Sequence, residues 1–445
     1  MKKTFPGGIH PGCNKKLTEN NPIETAPIPK KVAVPLTQGL GNPAKCLVKK
    51  GDDVLKGQLI GAADGFISSN VHASVSGTVS SVGPHINPVF GKTESVFIEN
   101  DGKDKAADQL TSGADPDMLS GREIKEIVKA AGIVGLGGAA FPTHVKLIAA
   151  ENKKVDALII NGIECEPFLT CDYRLMLEKT REILEGAELL ARAVSPSKTY
   201  IAIEDNKPAA ITAMKEALGA FGKKEFAGKT EIVTLKTKYP QGGEKQAIKA
   251  IMKREVPPGK LPLEIGCIVQ NVGTACAVRE AVYEGSPLIQ RCVTVTGSCV
   301  KTPGNFNVRI GTLLSDIVNE CCGGFSREPA KIIFGGPMMG IAQFSLDLPI
   351  IKGVSGVLFL TEDETAAAEE GPCIRCGRCV DVCSLNLVPT MIARCVKKNK
   401  AAELKSLNAL DCLECGACAY ICPARIPLVQ YMKLAKNITR NICDT

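Results

Sequence analysis

Eight cysteines near the end of the chain recur at one spacing. Four lie in "CIRCGRCVDVC" at 373–383, and four more lie in "CLECGACAYIC" at 412–422. Each run has the pattern C-x2-C-x2-C-x3-C, and the chain holds 20 cysteines in 445 residues. In a long chain for which we expect no export signal, such grouped thiols indicate metal binding rather than a disulfide scaffold.

The spacing predicts two [4Fe-4S] clusters. Three thiolates two residues apart can wrap one corner of a cubane, whereas a helix that starts at the fourth cysteine points away from it. In two-cluster ferredoxins this fourth cysteine binds the other cluster. A tetrahedral zinc site is the alternative, but two complete runs exceed its need for four ligands. The predicted ligands are Cys373, Cys376, Cys379 and Cys422 for cluster 1, and Cys412, Cys415, Cys418 and Cys383 for cluster 2.

Composition argues against several other classes of function. Charges of both signs are mixed along the chain, the net charge is +7, tryptophan is absent and aromatic residues make up 4%. This composition disfavours a nucleic-acid-binding surface. No apolar run reaches the ~18–20 residues that cross a bilayer, and "MKKTFPGGIHPG" lacks the apolar core of a signal peptide. We therefore expect the chain to remain on the cytoplasmic side.

Short strand-like runs separated by glycine turns make up the first part of the chain. "LVKKGDDVLKGQLIG" at 47–61 and "VHASVSGTVSSVG" at 71–83 resemble the barrel-sandwich fold of lipoyl and biotin carrier domains. Those carriers hold a modified lysine on a hairpin, but the corresponding "SSNVHASVSG" contains none. We predict a barrel-sandwich domain over 1–110 that docks partner proteins, so that deletion of residues 1–100 should spare the chemistry elsewhere. A polar linker is predicted at 103–118.

Helices and apolar strands alternate in the next part of the chain. This order is typical of a parallel sheet with a ligand site at the carboxyl ends of its strands, and we predict such an α/β domain over 115–285. "QRCVTVTGSCVKTPGNFNVRIGTLLSDIVNECCGG" then has the strand, turn, strand, helix order of a β-grasp domain, predicted over 286–345. A connecting segment at 346–366 leads to a helical, ferredoxin-like two-cluster domain over 367–445. The predicted fold class is multidomain α/β plus β.

A glycine-rich loop, "GIVGLGGAAFPTHVKL", precedes the first strand of the predicted α/β domain. Gly135, Gly137 and Gly138 allow the backbone to approach a phosphate or a flavin ring closely. Lys146 can reach an anionic phosphate, and Phe141 offers a flat apolar face. Taken alone, such a loop is equally consistent with a tight turn between two elements.

The surrounding motifs resemble the NADH-oxidising 51 kDa subunit of respiratory complex I. "NGIECEP", "YPQGGEK" and "VQNVGTACAV" follow the loop in the order of that family's flavin-site segments. The resemblance implies non-covalent FMN, with NAD(H) as the substrate. Ile163 and Lys245 replace acidic residues of that family, and Gln270 replaces an asparagine. The residues implied for FMN are Gly135, Gly137, Gly138, Lys146, Asn161, Glu164, Glu244, Gln270 and Asn271, and those implied for NADH are Phe141 and Glu166.

The domain order and the opening "FPGGIHPGCNKKLT" resemble the C subunit of the Rnf complex, over essentially the full chain. That complex is a membrane-bound ferredoxin:NAD oxidoreductase that couples electron flow to Na⁺ or H⁺ transport. The resemblance implies a peripheral subunit on the cytoplasmic side of the cell membrane. Its implied partners are the membrane-embedded and iron–sulfur subunits, and ferredoxin indirectly through one of them. Two alternatives stay open, a cobalamin reductase of bacterial microcompartments and a non-catalytic electron-transfer scaffold.

Overall fold

The computed structural model describes residues 3–110, 115–151, 153–365 and 369–443. The predicted linker and the outer residues of some predicted domains therefore lie partly outside the described residues. The strands are β1 (Ile23–Thr25), β2 (Lys31–Pro35), β3 (Lys45–Cys46), β4 (Asp53–Val54), β5 (Leu59–Ala62), β6 (Val71–His72), β7 (Gly77–Asn87), β8 (Gly91–Asn100), β9 (Ala157–Gly162), β10 (Lys198–Glu204), β11 (Thr230–Leu235), β12 (Cys267–Asn271), β13 (Gln290–Thr296), β14 (Gly304–Arg309), β15 (Lys331–Phe334), β16 (Ile341–Gln343) and β17 (Gly356–Leu360). The helices are α1 (Gly121–Ala130), α2 (Thr143–Ile148), α3 (Cys171–Glu178), α4 (Thr180–Val194), α5 (Pro208–Gly219), α6 (Lys224–Gly228), α7 (Glu244–Met252), α8 (Val272–Tyr283), α9 (Leu314–Asp316), α10 (Glu362–Thr365), α11 (Arg378–Asp381), α12 (Pro389–Lys397), α13 (Ala401–Ser406), α14 (Ala417–Tyr420) and α15 (Leu428–Cys443).

Two antiparallel sheets form the barrel-sandwich fold that the sequence predicts. Their strand orders are β2-β8-β7-β4 and β3-β5-β6. The core between them consists mainly of valine and isoleucine, including Val34, Ile60 and Ile98, which are fully buried. Branched apolar side chains pack well on a half-buried pleated surface, so the short runs of this region are sufficient to build the domain.

Four parallel strands in the order β11-β10-β9-β12 form the sheet of the α/β domain. Helices α1, α4 and α8 pack on one face, and α7 packs on the other. Strands covered on both faces are apolar along their whole length, as β9 is in "ALIING". The carboxyl ends of parallel strands open at one edge, and the register places Asn161 opposite Asn271 there.

The β-grasp sheet has six strands, in the order β1-β14-β13-β17-β15-β16. Strand β1 comes from the amino-terminal part of the chain and pairs in parallel with β14. Strand β17 comes from the predicted connecting segment at 346–366, yet it lies between β13 and β15. All five of its residues are buried, as a central strand covered on both faces requires. The sheet therefore extends through the predicted connecting segment.

The carboxyl-terminal region repeats one local structure within each cysteine run. Helices α11 and α14 are preceded by Gly377 and Gly416, both in the left-handed conformation with φ 79°, which a side chain would strain. The longer helices α12 and α15 pack against each other. Among the described residues, no helix combines the length and the apolar character that crossing a membrane requires.

Residues 3–22, which we call the N-terminal strap, lie outside the barrel-sandwich sheets. Ile9 pairs with Tyr239 of the α/β domain. Gly8 N donates a hydrogen bond to Val382 O of the two-cluster domain at 2.8 Å. The strap therefore connects two domains that are far apart in the sequence.

Candidate functional site

The thiols of the second cysteine run form a group with Cys383. Burial, followed by the charges of Cys415, Cys412 and Cys383, raises the pKa of Cys418 to about 12. The expectation that a helix starts at the fourth cysteine is wrong, because α11 ends at Asp381, before Cys383. Cys383 reaches this group from the first run because α11 carries the chain across to it. The crossed ligand set of cluster 2 stays a prediction, and this placement is consistent with it.

Cys422 correspondingly lies close to the first run. Burial is the largest cause that raises the pKa of Cys379, and the charge of Cys422 is a smaller cause in the same direction. Cys379 is buried, whereas Cys373 and Cys376 are exposed. The ligand set predicted for cluster 1 is consistent with this arrangement and also stays a prediction.

Two thiols of the group predicted for cluster 2 accept backbone hydrogen bonds. Leu387 N donates to Cys383 Sγ and Glu414 N donates to Cys412 Sγ, each at 3.3 Å. A hydrogen bond to sulfur favours the thiolate form that binds iron. Within the described ranges, no three His, Cys, Asp or Glu side chains surround a single metal ion. A cubane does not require such convergence, because its four thiolates bind four different irons.

The ends of β9 and β12 bring together amide side chains that the sequence implied for FMN. Asn161 Nδ2 donates to Gly242 O at 2.9 Å, and Asn271 Nδ2 donates to Asp172 Oδ2 at 2.7 Å. Gln270 is buried, and its Nε2 has no hydrogen-bond partner within the described part of the chain. A buried donor without an acceptor costs free energy, so this amide is suited to an oxygen of a bound cofactor.

The glycine-rich loop lies beside these strand ends. Gly135 N donates to the carbonyl of half-buried Phe141 at 2.9 Å. A Cβ at Gly137 would lie 3.4 Å from Asn271 Cβ, so a larger side chain there would fill the space over the strand end. Three loop residues have a positive φ, namely Gly132 at 63°, Gly138 at 114° and Ala140 at 48°, and a Cβ at Gly138 would meet open space. The loop therefore leaves room for a flat group to approach its backbone.

Lys146 and Glu244 form an ion pair at the edge of the same site. Lys146 Nζ lies 2.9 Å from Glu244 Oε1 and donates to Val269 O at 3.2 Å. Glu244 begins α7, where the helix dipole favours negative charge. Lys146 is 31% exposed, so a phosphate can approach its ammonium group. The partnerless amide of Gln270, the open loop and this accessible lysine together fit FMN.

Glu164 is held in a buried network that the sequence did not reveal. Its Oε1 accepts a hydrogen bond from Asp172 N at 2.8 Å, and Lys15 Nζ of the N-terminal strap lies 3.6 Å from its Oε2. Lys15 also donates to the carbonyls of Glu166, at 2.9 Å, and Leu169. Burial, followed by the charge of Glu164, raises the pKa of Asp172 to about 7. The strap thus supplies a cation to carboxylates on the flavin side.

Glu166, implied to face NADH, contacts the β-grasp domain in this structure. Its carboxylate accepts hydrogen bonds from Met339 N at 2.9 Å and Met338 N at 3.3 Å. Burial raises the pKa of Glu166 to about 7. Close by, Tyr239 Oη donates to the carbonyl of Cys415, a second-run cysteine, at 2.6 Å. Glu166 therefore lies where three domains meet, and its role towards NADH stays a prediction.

Two cavities lie next to the predicted flavin residues. One of about 160 Å³ is bounded by the N-terminal strap and the ends of β9 and β10, and Glu164 lines it. The other, of about 220 Å³, is lined by residues of α3, α8 and the β-grasp domain, including Asp172. Gly137 and Lys146 line neither of the two. Gly137 and Gly138 are exposed, so this part of the glycine-rich loop is open to solvent and belongs to neither cavity.

The amino-terminal region is tied to the flavin-side loop. A Cβ at Gly39 would lie 2.0 Å from the carbonyl oxygen of Ala140 in that loop, so the two backbones are in direct contact. Lys15 of the strap holds Glu164, as described above. The expectation that residues 1–100 can be deleted without harm to the chemistry stays a prediction, and these contacts on the site argue against it.

Four family models match the chain in the order of its domains. Residues 3–103 match the RnfC barrel sandwich hybrid domain, and residues 128–280 match the Nuo51 FMN-binding domain. Residues 292–342 match the SLBB domain, and residues 372–426 match the 4Fe-4S dicluster domain. These matches confirm the predicted fold class, together with FMN and [4Fe-4S] clusters as cofactors.

Relatives match over nearly the whole length. The C subunit of the proton-translocating ferredoxin:NAD(+) oxidoreductase complex of Clostridium ljungdahlii is 48% identical, covering 99% of this chain and 95% of the relative. The C subunit of the Na(+)-translocating complex of Acetobacterium woodii is 44% identical, covering 98% and 96%. Among solved structures, NAD+-reducing [NiFe]-hydrogenase in the H2-reduced state gives a TM-score of 0.49 at 19% identity, covering 74% of this chain and 61% of that chain.

Proposed function

This chain belongs to the family of C subunits of the ion-translocating ferredoxin:NAD(+) oxidoreductase, or Rnf, complex, and on that premise we propose how its own residues perform the work. It is an oxidoreductase subunit for NAD-linked electron transfer, with FMN and two [4Fe-4S] clusters as cofactors. The near full-length similarity to C subunits of this complex supports this function over the cobalamin reductase, and the match to an FMN-binding domain supports it over the non-catalytic scaffold.

One contact supports the proposed transfer of electrons between the α/β domain and the two-cluster domain. Tyr239, from the segment that follows β11, donates its hydroxyl proton to the carbonyl of Cys415 at 2.6 Å. Cys415 is a predicted ligand of cluster 2, and Tyr239 lies close to Glu166 at the edge of the α/β sheet. The flavin-side edge and a cluster-binding loop are thus joined directly, as short-range electron transfer between them requires.

When bound, FMN takes two electrons as hydride from NADH and delivers them singly to iron–sulfur clusters. The chain's own residues bind and orient. Lys146 would hold the phosphate, the glycine-rich loop would permit close approach of the ring, and Gln270 would offer its Nε2 as a donor to the cofactor. Asn161 and Asn271 are held by their own hydrogen bonds at the strand ends, which keeps this edge rigid.

We also propose the location and the partners of the subunit from its family. We place the subunit at the cytoplasmic face of the cell membrane, held there by partner subunits. Membrane-embedded and iron–sulfur subunits exchange electrons with it, and ferredoxin does so through one of them. The full-length similarity to relatives named as complex subunits supports this setting.

The flavin assignment is tested with Gly137→Val. The branched side chain would extend over Asn271 and occupy the space above the strand end, so the purified protein should lose FMN while it keeps both clusters. Flavin content after acid release and iron and sulfide content are the measurements. Gly219→Val is the matched control, since Gly219 ends α5 with no neighbouring atom within 4 Å of its Cβ position.

Loss of flavin from both variants would point to general destabilisation, and a reduced flavin content in Gly137→Val alone supports the site. A Gly137→Val protein with full flavin content would refute this location for FMN. The same preparations, mixed with NADH under anaerobic conditions, show whether loaded wild-type protein is reduced. Wild-type protein that carries flavin and both clusters but is not reduced by NADH would refute the proposed NADH chemistry.

A further inference from the structure

The two cysteine runs have the same spacing but different surroundings. Three hydrogen bonds join the α/β domain to the two-cluster domain, and each involves a residue that is, or adjoins, a predicted ligand of cluster 2. They are Tyr239 Oη to Cys415 O at 2.6 Å, Gln246 Nε2 to Ser384 Oγ at 2.9 Å and Gly259 N to Asp411 Oδ1 at 3.2 Å.

The N-terminal strap and the β-grasp domain converge on the same group. A Cβ at Gly7 of the strap would lie 3.1 Å from the backbone of Cys383, and a Cβ at Gly416 would lie 3.0 Å from Met338 O. Ile9, Tyr239 and Ala417 are buried in one small apolar cluster. The second run is therefore enclosed by the domains that carry the flavin-side residues.

Only the end of the first run contacts those domains, and its beginning is exposed. Ile374, between two of its cysteines, is 66% exposed. Arg375, Arg378 and Arg425 are also exposed. Gly371 N donates to Ala424 O at 2.9 Å, which brings the start of the run beside Arg425. We call Ile374, Arg375, Arg378 and Arg425 the cluster-1 rim.

The charges of the rim distinguish it from the second run. Within the described residues, the three arginine side chains have no carboxylate partner, whereas Glu414 in the second run is paired with Lys436 at 2.5 Å. Single exposed arginines are ordinary solvated residues. Three of them around one exposed isoleucine combine positive charge with a small apolar contact, which is the chemistry of a transient interface with an acidic protein.

We propose that cluster 2 exchanges electrons with the flavin domain, that cluster 1 is the outer cluster, and that the cluster-1 rim docks an acidic iron–sulfur protein. This proposal rests on the proposed function. Each transfer moves one electron: cluster 1 is oxidised as a cluster of the docked protein is reduced, or the reverse, and no bond is made or broken. Positive charge on the rim accelerates encounter with an acidic carrier by electrostatic steering.

The order of the clusters is tested on the loaded wild-type protein by electron paramagnetic resonance after reduction. The signal missing from Cys376→Ala identifies cluster 1. A soluble dysprosium chelate should enhance the relaxation of the cluster 1 signal more than that of cluster 2, because the second run is enclosed. Stronger relaxation of the cluster 2 signal, or equal relaxation of both, would overturn the order.

The docking face is tested by the combined change Arg375→Glu, Arg378→Glu and Arg425→Glu. The probe is a pre-reduced two-[4Fe-4S] ferredoxin of net negative charge, which the loaded protein oxidises with NAD+ as the electron acceptor. In the triple variant, the KM for this ferredoxin should rise on the order of tenfold or more at low salt. The rate of the variant should also depend less on salt than the rate of the wild type does. Lys50→Glu, Lys92→Glu and Lys215→Glu form the matched control, with the same change of charge at exposed positions on other domains.

The outcomes separate this proposal from the proposed function. Bleaching of the flavin by NADH in wild type and both triple variants shows that the NADH chemistry is intact, and a rise of KM only in the arginine variant then supports the rim. An unchanged KM, or an equal rise in the lysine control, overturns it. Binding of phosphatidylglycerol vesicles that the arginine changes abolish, with KM unaltered, would assign the rim to lipid instead. If the arginine variant loses cluster 1, its KM cannot be interpreted, and the wild type alone provides the test. A wild-type rate that does not fall as the salt concentration rises would then overturn the proposal.

Discussion

Two lysines are buried where domains meet, and their partners differ. Lys15 of the N-terminal strap lies 3.6 Å from the carboxylate of Glu164. Lys352, which follows the β-grasp strand β16, donates to the carbonyls of Asn70 at 2.8 Å and Gly132 at 2.7 Å. Burial lowers the pKa of Lys352 to about 7. One buried ammonium group thus has a carboxylate beside it, and the other has neutral oxygens.

The difference shows how each of the two contacts between domains, which we call the Lys15 junction and the Lys352 junction, is stabilised. A carboxylate offsets the desolvation of an ammonium group, so the pair is stable only while both members are present. Carbonyl oxygens satisfy hydrogen bonds but carry no net charge to offset desolvation. Since Asn70, Gly132 and Lys352 belong to three different domains, that junction should respond to pH. The Lys15 junction should respond mainly to removal of one partner.

The largest effect is expected from Lys15→Met. It leaves Glu164 buried without its cation, and the loss of one member of a buried pair costs about 3–5 kcal/mol. Urea unfolding at pH 7, monitored through the release of flavin, measures this cost. Lys16→Met is the control, because Lys16 is exposed and should change stability by less than about 0.5 kcal/mol. Equal effects of the two changes would show that the buried pair contributes nothing.

Lys352→Met should cost less than Lys15→Met at pH 7. Two buried carbonyl oxygens lose a donor, which costs about 1–3 kcal/mol, but the desolvation of the ammonium group is removed at the same time. The same urea transition, measured with both variants side by side, gives the comparison. A Lys352→Met variant that is destabilised more than Lys15→Met would reverse our ranking of the two junctions.

The stability of the wild type relative to Lys352→Met should not depend on pH below about 7 and should rise with pH above it. The reason is that the folded lysine titrates near 7, whereas an unfolded lysine titrates near 10.4. Between the two values the unfolded chain binds a proton that the folded chain lacks, so stability rises by up to about 1.4 kcal/mol per pH unit. Below pH 7 both states are protonated and the difference should be flat. Unfolding series at pH 6, 7, 8 and 9 measure it, and a difference that is constant above pH 7 would contradict the lowered pKa.

The smallest effect concerns His72, which is buried near Lys352. Burial is the largest cause that lowers the pKa of His72 to about 3, and the charge of Lys352 is the second cause. In Lys352→Met the pKa should rise, yet remain well below the usual value of about 6.5. Nuclear magnetic resonance of the histidine ring protons against pH checks this, since the chain has four histidines. A return of His72 to the usual value would mean that the lysine charge, not burial, controls it.

The parts of the site that are local in the chain were predictable from the sequence. Each cysteine run places its ligands within 11 residues, so their spacing alone specifies cluster chemistry. The glycine-rich loop and the strand ends Asn161 and Asn271 followed from the alternation of strands and helices, because parallel strands end at one edge. The sequence did not indicate that Gly138, rather than Gly137, has the left-handed conformation.

The amino-acid sequence by itself determined the cofactor chemistry and the order of the domains, because both depend on residue types at short spacing. Only the tertiary structure decided which residues form contacts between domains. Lys15 and Lys16 are neighbours of the same type, yet folding buries the first against Glu164 and leaves the second in solvent. The apolar run of β17 predicts burial, but no local pattern states which two strands will flank it. Pairing over such distances depends on where the whole chain packs, and a side chain's type does not encode that position.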